Sequence, residues 1–492
     1  MADAYDDLLD QYEQKATLSD ARGHLQWDQE VMMPEGGTPA RSRQLSTLSA
    51  LEHETITDES VEDALAEIDR SALDPAQQAA VREIERQHER AVAVPTDLVE
   101  TISATSSDAL PKWKEAREAD DFETFAPSLS SLVDLNREYA DHVAPDRDPY
   151  EVLFEEYEPY LGIDTAERIL TRLREELVPL IDAVGESDAD IPRPFEGTYD
   201  TDTQETLCRD VLDDLGYDWD RGRLDVAPHP FSSGTRFDAR ITTRFDESRV
   251  LDALSSTVHE FGHATYTLGL PDEHYGTPLG ESRDLSVHES QSRLWENHVG
   301  RSLPFWQGFT PTVEDGLGVS GTPQEFYEAA NTVHPENLIR VEADELTYHM
   351  HIVLRFEIER DLVRGDLDVA DVPDVWNEKM EEYLGVRPDT DAEGCLQDIH
   401  WSHGAFGYFP TYTLGSVLAA QLDHHVRTDL DVDDLVREGE FDPIREWMGE
   451  QIHRHGCRYT TPELIEEATG EAFTADYFVE YASEKFGELY GV

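Results

Sequence analysis

The chain has 492 residues, and its 107 Asp and Glu against 39 Lys and Arg give a formal net charge of −68. Charge of that sign, spread along the whole length and not gathered in a tail, repels nucleic acid and anionic membranes, so neither is an expected partner. Aromatic residues at 9% and clear amphipathic periods argue against a disordered chain.

The positive charge is almost all arginine, since the lysines are only Lys15, Lys112, Lys114, Lys379 and Lys485. In molar salt the Debye length falls to about 3 Å, so self-repulsion that would weaken such a fold in dilute buffer is screened. The composition therefore predicts a halophilic protein of a salt-loaded cytoplasm. The opening "MADAYDDLLDQYEQ" has neither a basic nor an apolar targeting region, and no later run approaches a membrane span. Cys208, Cys395 and Cys457 are odd in number and far apart, which fits reduced thiols.

Taken in chain order, most segments carry apolar residues at three and four spacing and predict a mostly α fold. The helical pattern runs through 5–27, 60–93 and 165–185. Residues 184–204, "VGESDADIPRPFEGTYDTDTQ", are the best linker. They suggest one unit over 1–492 that divides, if at all, into a helical 1–183 and a motif-bearing 205–492. Strand-like alternation is scarce and is concentrated in "GTRFDARITTRF", residues 234–245, a short hairpin or sheet edge.

The next stretch, "SSTVHEFGHATYTLGL", residues 255–270, places His259 and His263 four apart. On a helix that spacing leaves the two about 40° apart around the axis, able to pinch one ion. Leu251, Leu254, Val258, Phe261 and Thr265 form a helical stripe, with Gly269 and Pro271 as the stop. Glu260 is badly placed to be a ligand but well placed to take a proton from an attacking water, the division of labour in H-E-x-x-H peptidases. The extended three-histidine form would need glycine at Tyr266 and histidine at Gly269, so a third ligand must come from elsewhere. Residues 283–300, "RDLSVHESQSRLWENHVG", predict a second helix and offer His288, Glu289 and Glu296. Glu289 reads equally well as the partner of Ser286 in a capping box.

Six separated stretches carry a resemblance: "HPF" from His229, "DARIT" from Asp238, "HEFGH" from His259, "HESQS" from His288, "IRVEAD" from Ile339 and "GCLQDIHW" from Gly394. In that order they resemble the thermostable carboxypeptidase family, the carboxypeptidase Taq type of metallopeptidase, and the likeness runs from "WDQEVMMP" near residue 27 to the C-terminus. The resemblance implies a helical metallopeptidase with a deep substrate groove, a metal at its floor and a homodimer. It makes Glu289 the third ligand beside His259 and His263, with Glu260 as base and proton shuttle.

An oxyanion needs donors besides the metal. Residues 398–415, "DIHWSHGAFGYFPTYTLG", offer His400, His403, Tyr408 and Tyr412, with His400 and Tyr412 favoured. A carboxypeptidase must also hold the free carboxylate of its substrate, a task suited to an arginine fork. By resemblance Arg340 is the first choice and Arg240 the second; pairing with Asp344 or Asp238 is the competing role for each. His229 is expected near the groove in support, and His288 is expected to orient a ligand, not to bind metal.

The expected cofactor is zinc, with cobalt possible, and the expected substrate is a peptide shortened singly from its C-terminus. An oligopeptidase that cuts internally and a non-catalytic zinc scaffold are the two rival readings. Glu260 counts against the scaffold, because a purely structural site needs no base.

Overall fold

Apolar spacing at three and four residues is realised as twenty α-helices and one three-stranded sheet among the described residues, 2–492, of the computed structural model. The helix Ile163–Gly185 shows why: Ile163, Ala166, Ile169, Leu170, Leu173, Leu177, Ile181 and Val184 share one buried face. Residues 60–93 form two helices instead of one, Glu59–Glu67 and Pro75–Ala93. Pro75 has no N–H to continue the ladder, and Asp74 starts the second helix by accepting from the N–H groups of Ala76 and Gln77.

The 184–204 connection is open coil between helices ending at Gly185 and starting at Thr201. One apolar core nevertheless runs across it, from Leu170, Leu173 and Leu177 to Val258, Leu418 and Phe478. The first helices keep a smaller core of their own, in which Leu8, Tyr12, Val61, Val81 and Ile84 meet. Polar contacts join this layer to the body: Arg283 reaches Glu83 at 3.0 Å, both side chains being buried, and Tyr12 donates to Glu281 at 2.8 Å.

The sheet comprises β1 (Gly222–Val226), β2 (Ser232–Thr235) and β3 (Asp238–Thr243) in the order β1-β3-β2. β2 and β3 make the expected antiparallel hairpin, with Gly234 opposite Ala239. β3 is the central strand and not an edge, because β1 pairs with it in parallel, Leu224 opposite Ile241. β1 escapes sequence reading because only Leu224 of "GRLDV" is buried. The sheet packs against the helix Val250–Gly269, which carries the H-E-x-x-H residues. No helix among the described residues is long and apolar enough to cross a membrane.

The loop around residues 400–409 is fastened by one carboxyl group. Glu359, on the helix Tyr348–Arg364, accepts from Trp401 Nε1 at 2.8 Å, from the Gly407 N–H at 3.1 Å and from Tyr150 at 3.3 Å. Burial nevertheless dominates and pushes Glu359 up to about 8, so the group is largely protonated at neutral pH. A carboxyl whose folded pKa is raised stabilises the fold less as pH climbs from its unfolded value toward its folded one. Glu359→Gln loses an acceptor for Gly407 and is less stable at pH 5. Its deficit in Tm should shrink between pH 5 and 8, where wild type alone gives up this stability; a deficit that widens with pH would contradict the assignment.

Candidate active site

The helix Val250–Gly269 brings His259 and His263 together, their rings 4.9 Å apart between centroids. The helix Leu285–Arg293 lies beside it and presents Glu289, whose Oε2 is 3.8 Å from His259 Nε2 and 3.5 Å from His263 Nε2. One donor atom from each of the three falls within 4.8 Å of the others. Two imidazoles and a carboxylate converging in this way fit a divalent ion with a remaining position open for water or substrate. Glu260 is buried beside them, and its Oε2 has no hydrogen-bond partner in the protein. Burial raises Glu260, while His259 and His263 pull it back.

Glycine makes this closeness possible. A Cβ on Gly262 would lie 2.5 Å from Ser292 Cα and 2.6 Å from the Gln291 carbonyl oxygen, so the two helices touch backbone to backbone there. A Cβ on Gly415, in the helix Pro410–Asp429, would lie 2.4 Å from Glu289 Cβ. The base of the Glu289 side chain is therefore wedged from the opposite side.

A second set of contacts orients the three donors. His259 Nδ1 donates to Glu296 Oε2 at 2.8 Å, and His263 Nδ1 lies 2.7 Å from His288 Nδ1, a contact in which one of the two rings holds the proton; both Nε2 atoms face Glu289. Burial, with His263 adding to it, pushes His288 down to about 3, so its neutral ring can accept that proton. Glu296 belongs to a short π-helix, Leu294–Gly300, that continues the Leu285–Arg293 helix. Such wide turns shift the side-chain register and recur at functional sites. Arg293 donates to Glu289 Oε1 at 2.7 Å and to Glu296 Oε2 at 3.2 Å, while Arg301 donates to Glu296 Oε1 at 2.8 Å. Burial alone would raise both carboxylates. Arg293, with the histidines, overcomes it at Glu289, and Arg301 with Arg293 does so at Glu296, holding both well below the usual range.

The aromatic loop brings its residues into one wall. His400 lies against Phe409 and Tyr408, at 4.5 and 5.5 Å between ring centroids, and Tyr408 packs on Tyr412 at 5.2 Å and on Tyr157 at 5.1 Å. Burial pushes His400 down to about 4 despite nearby Asp398, and raises Tyr412, so the imidazole is neutral and the phenol keeps its proton. Arg340 is buried against the Phe409 and Tyr412 rings. Its ion-pair partner is Asp398, at 2.8 Å, and not Asp344; Asp398 also accepts from Arg355 at 2.6 Å. Tyr348 ties the two parts together, since Arg293 lies over its ring at 5.0 Å and its hydroxyl accepts from Arg340 Nη1 at 3.3 Å.

Two further residues make none of these contacts. Arg240 on β3 gives Nε and Nη2 to Asp238, at 2.9 and 2.6 Å, and stacks on Trp27 at 4.2 Å. His229 is exposed on the turn between β1 and β2. Arg293, Arg301, Asp398, Arg355 and Tyr348 were not singled out from sequence. The four-residue spacing of Glu289 and Arg293 was the one available signal.

The helical fold and this donor set define a metallopeptidase. A family model described as carboxypeptidase Taq (M32) metallopeptidase matches residues 3–486. The chain is 39% identical to thermostable carboxypeptidase 1 of Thermus thermophilus, with 99% of each chain covered, and 38% identical to the enzyme of that name from Pyrococcus furiosus, with 97% covered. Among solved structures it is similar to the M32 carboxypeptidase of Deinococcus radiodurans, with a TM-score of 0.95 at 38% identity over 99% of this chain and 100% of that one. It is also similar to Trypanosoma cruzi metallocarboxypeptidase 1, with a TM-score of 0.96 at 35% identity over 99% and 100%. The chain belongs to the carboxypeptidase Taq (M32) family and is a metallocarboxypeptidase.

Removing the charge that orients His259 should be felt in metal retention. Glu296→Gln is expected to weaken metal binding about 10- to 100-fold, measured by titration against a competing chelator. Affinity equal to wild type would show that the Glu296 contact does not orient the ligand.

Proposed function

We propose that this chain is a zinc-dependent carboxypeptidase, able to use cobalt, that releases single residues from the free C-terminus of peptides. The observation that carries the chemical assignment is Glu260, whose buried and unpartnered carboxylate oxygen stands beside the three converging donors. A divalent ion held by His259, His263 and Glu289 would supply Lewis acidity to the scissile carbonyl and to the attacking water.

The protein does the rest. Glu260 takes the proton released as water attacks and passes it to the departing amine; its raised pKa suits a group that must both accept and return a proton. Tyr412, which keeps its phenolic proton, donates to the developing oxyanion, and neutral His400 provides a second donor from the same wall. Arg340 takes the terminal carboxylate. Nε and Nη2 are both committed to Asp398, but Nη1 carries only the 3.3 Å contact to Tyr348, so that end of the fork is the one open to substrate. Tyr408 lines the adjoining wall. Arg340 is preferred to Arg240, whose guanidinium is spent on Asp238 and Trp27, and His229 is assigned no step.

The reading extends to one catalytic unit over 1–492, supported by the core that crosses the 184–204 coil. It includes a homodimer, on the strength of family resemblance, and a salt-loaded cytoplasm, on the strength of the −68 charge.

Mass spectrometry of a free-ended peptide and its C-terminally amidated twin tests the activity. A ladder losing one residue at a time, absent with the amide or a chelator, is expected; internal fragments from both peptides would move the protein to the oligopeptidases. Glu260→Gln should retain metal and lose at least about 100-fold in kcat. Loss of metal together with activity would remove the assigned role from Glu260. Arg340→Ala should lower kcat/KM on free-ended peptides about 10- to 100-fold; unchanged kinetics would reject Arg340 as the anchor.

A further inference from the structure

Glu296 faces His259, but the next two residues of the same π-helix, Asn297 and His298, line a separate cleft of about 460 Å³. Its other walls come from the helices Pro410–Asp429 and Asp476–Tyr490, and none of the three metal-site donors lines it. The volume is in the range of small-ligand sites.

Three buried polar atoms of residues lining this cleft have no hydrogen-bond or ion-pair partner in the protein: Asn297 Oδ1, Asp423 Oδ1 and Arg301 Nε; His298 Nδ1 lies 3.5 Å from Asp423 Oδ2. Asn297 and His298 are each 4% exposed and Asp423 is 8% exposed. Buried polar groups in folded proteins are mostly hydrogen-bonded, so three unpaired atoms around one cleft point to a partner from outside the chain. The set has both signs. Asp423 and Asn297 offer oxygens to an N–H group, whereas Arg301 offers an N–H to an anionic oxygen.

The remaining charges define the ligand further. Arg301 is engaged by Glu296, Arg427 by Asp423 and Asp433, and Lys485 by Glu345. Glu480, Glu484 and Glu488, all exposed at the rim, form no ion pair among the described residues. Two aromatic stacks, His298 on Tyr481 and His424 on Tyr477, both 4.3 Å between centroids, give flat walls suited to a cationic side chain.

The geometry points to a second ligand site in this cleft for a free α-amino acid with a basic side chain. The ammonium group goes to Asp423 and Asn297, the carboxylate to Arg301, and the side chain runs along the aromatic walls toward Glu480 and Glu484. A free amino acid is the product class of the activity proposed above, so the regulatory meaning of the site rests on that reading. Its chemistry does not. Arg301 bonds Glu296, and Glu296 bonds His259, so occupancy of the cleft reaches a metal-site residue through two hydrogen bonds.

Calorimetric titration of the zinc-loaded full chain with L-arginine tests the site. One saturable binding event is expected, weakened at least tenfold by Asp423→Asn and by Glu484→Gln and left in place by Arg340→Ala. Agmatine, which lacks the carboxylate, should bind at least tenfold more weakly. Glu484 is exposed, so its variant is expected to fold and, without added arginine, to hydrolyse peptides as wild type does. Absence of saturable binding, or binding indifferent to both cleft variants, would overturn the proposal. Loss of the event in Arg340→Ala would place the amino acid in the peptide groove instead, and equal affinity for agmatine would reduce the cleft to a cation site. Peptide hydrolysis by Glu484→Gln reports separately on the carboxypeptidase reading, so the two can fail independently.

Discussion

Arg293 holds Glu289 through Nε and Glu296 through Nη1, and the geometry of the centre depends on that fork. Glu260, Glu289 and Glu296 are all buried around the same pair of histidines. Three carboxylates so placed would repel one another and draw protons unless a fixed positive charge stood among them. Arg293 and Arg301 supply it to Glu289 and Glu296. Glu260 has no arginine contact, its Oε2 is unpartnered, and burial raises its pKa. Counter-charge thus distinguishes Glu289 and Glu296 from Glu260: Arg293 contacts the first, Arg293 and Arg301 the second, and no arginine the third.

The backbone sets how close these groups come. Contacts at Gly262 and Gly415 fix Glu289 between two helices, so the carboxylate is aimed by packing before any ion draws it in. Pre-positioning of this kind lowers the cost of assembling a site from separate elements. Tyr348 then carries the alignment onward, from the Arg293 side of the centre to Arg340 and the Asp398–Arg355 pair.

Much of this was legible in the sequence, for identifiable reasons. Local periodicity reveals helices, and the four-residue spacing of His259 and His263 reveals a pinching pair because one helical turn places both on one side. Glu289 could be chosen over a capping role only by resemblance. In the structure its Oε1 is held by Arg293, and the Ser286 N–H and hydroxyl are taken by Glu158, so no capping box forms there. The partner of Arg340 was missed because Asp398 lies 58 residues away and only the folded chain makes them neighbours. β1 was missed because a strand with one buried residue has no alternation to read. The π-helix at Leu294–Gly300 was also invisible, since a wide turn of only seven residues is too short to show a period of its own.

The seam between the first helices and the body differs in kind from the core behind it. Arg283 and Glu83 meet with side chains 4% and 5% exposed, out of reach of most dissolved ions. Concentrated electrolyte that quiets the repulsion among surface carboxylates therefore leaves this junction at nearly full strength. The acidic surface and the buried ionic joint thus differ in their response to salt: repulsion in the first weakens as salt rises, and attraction in the second scarcely changes.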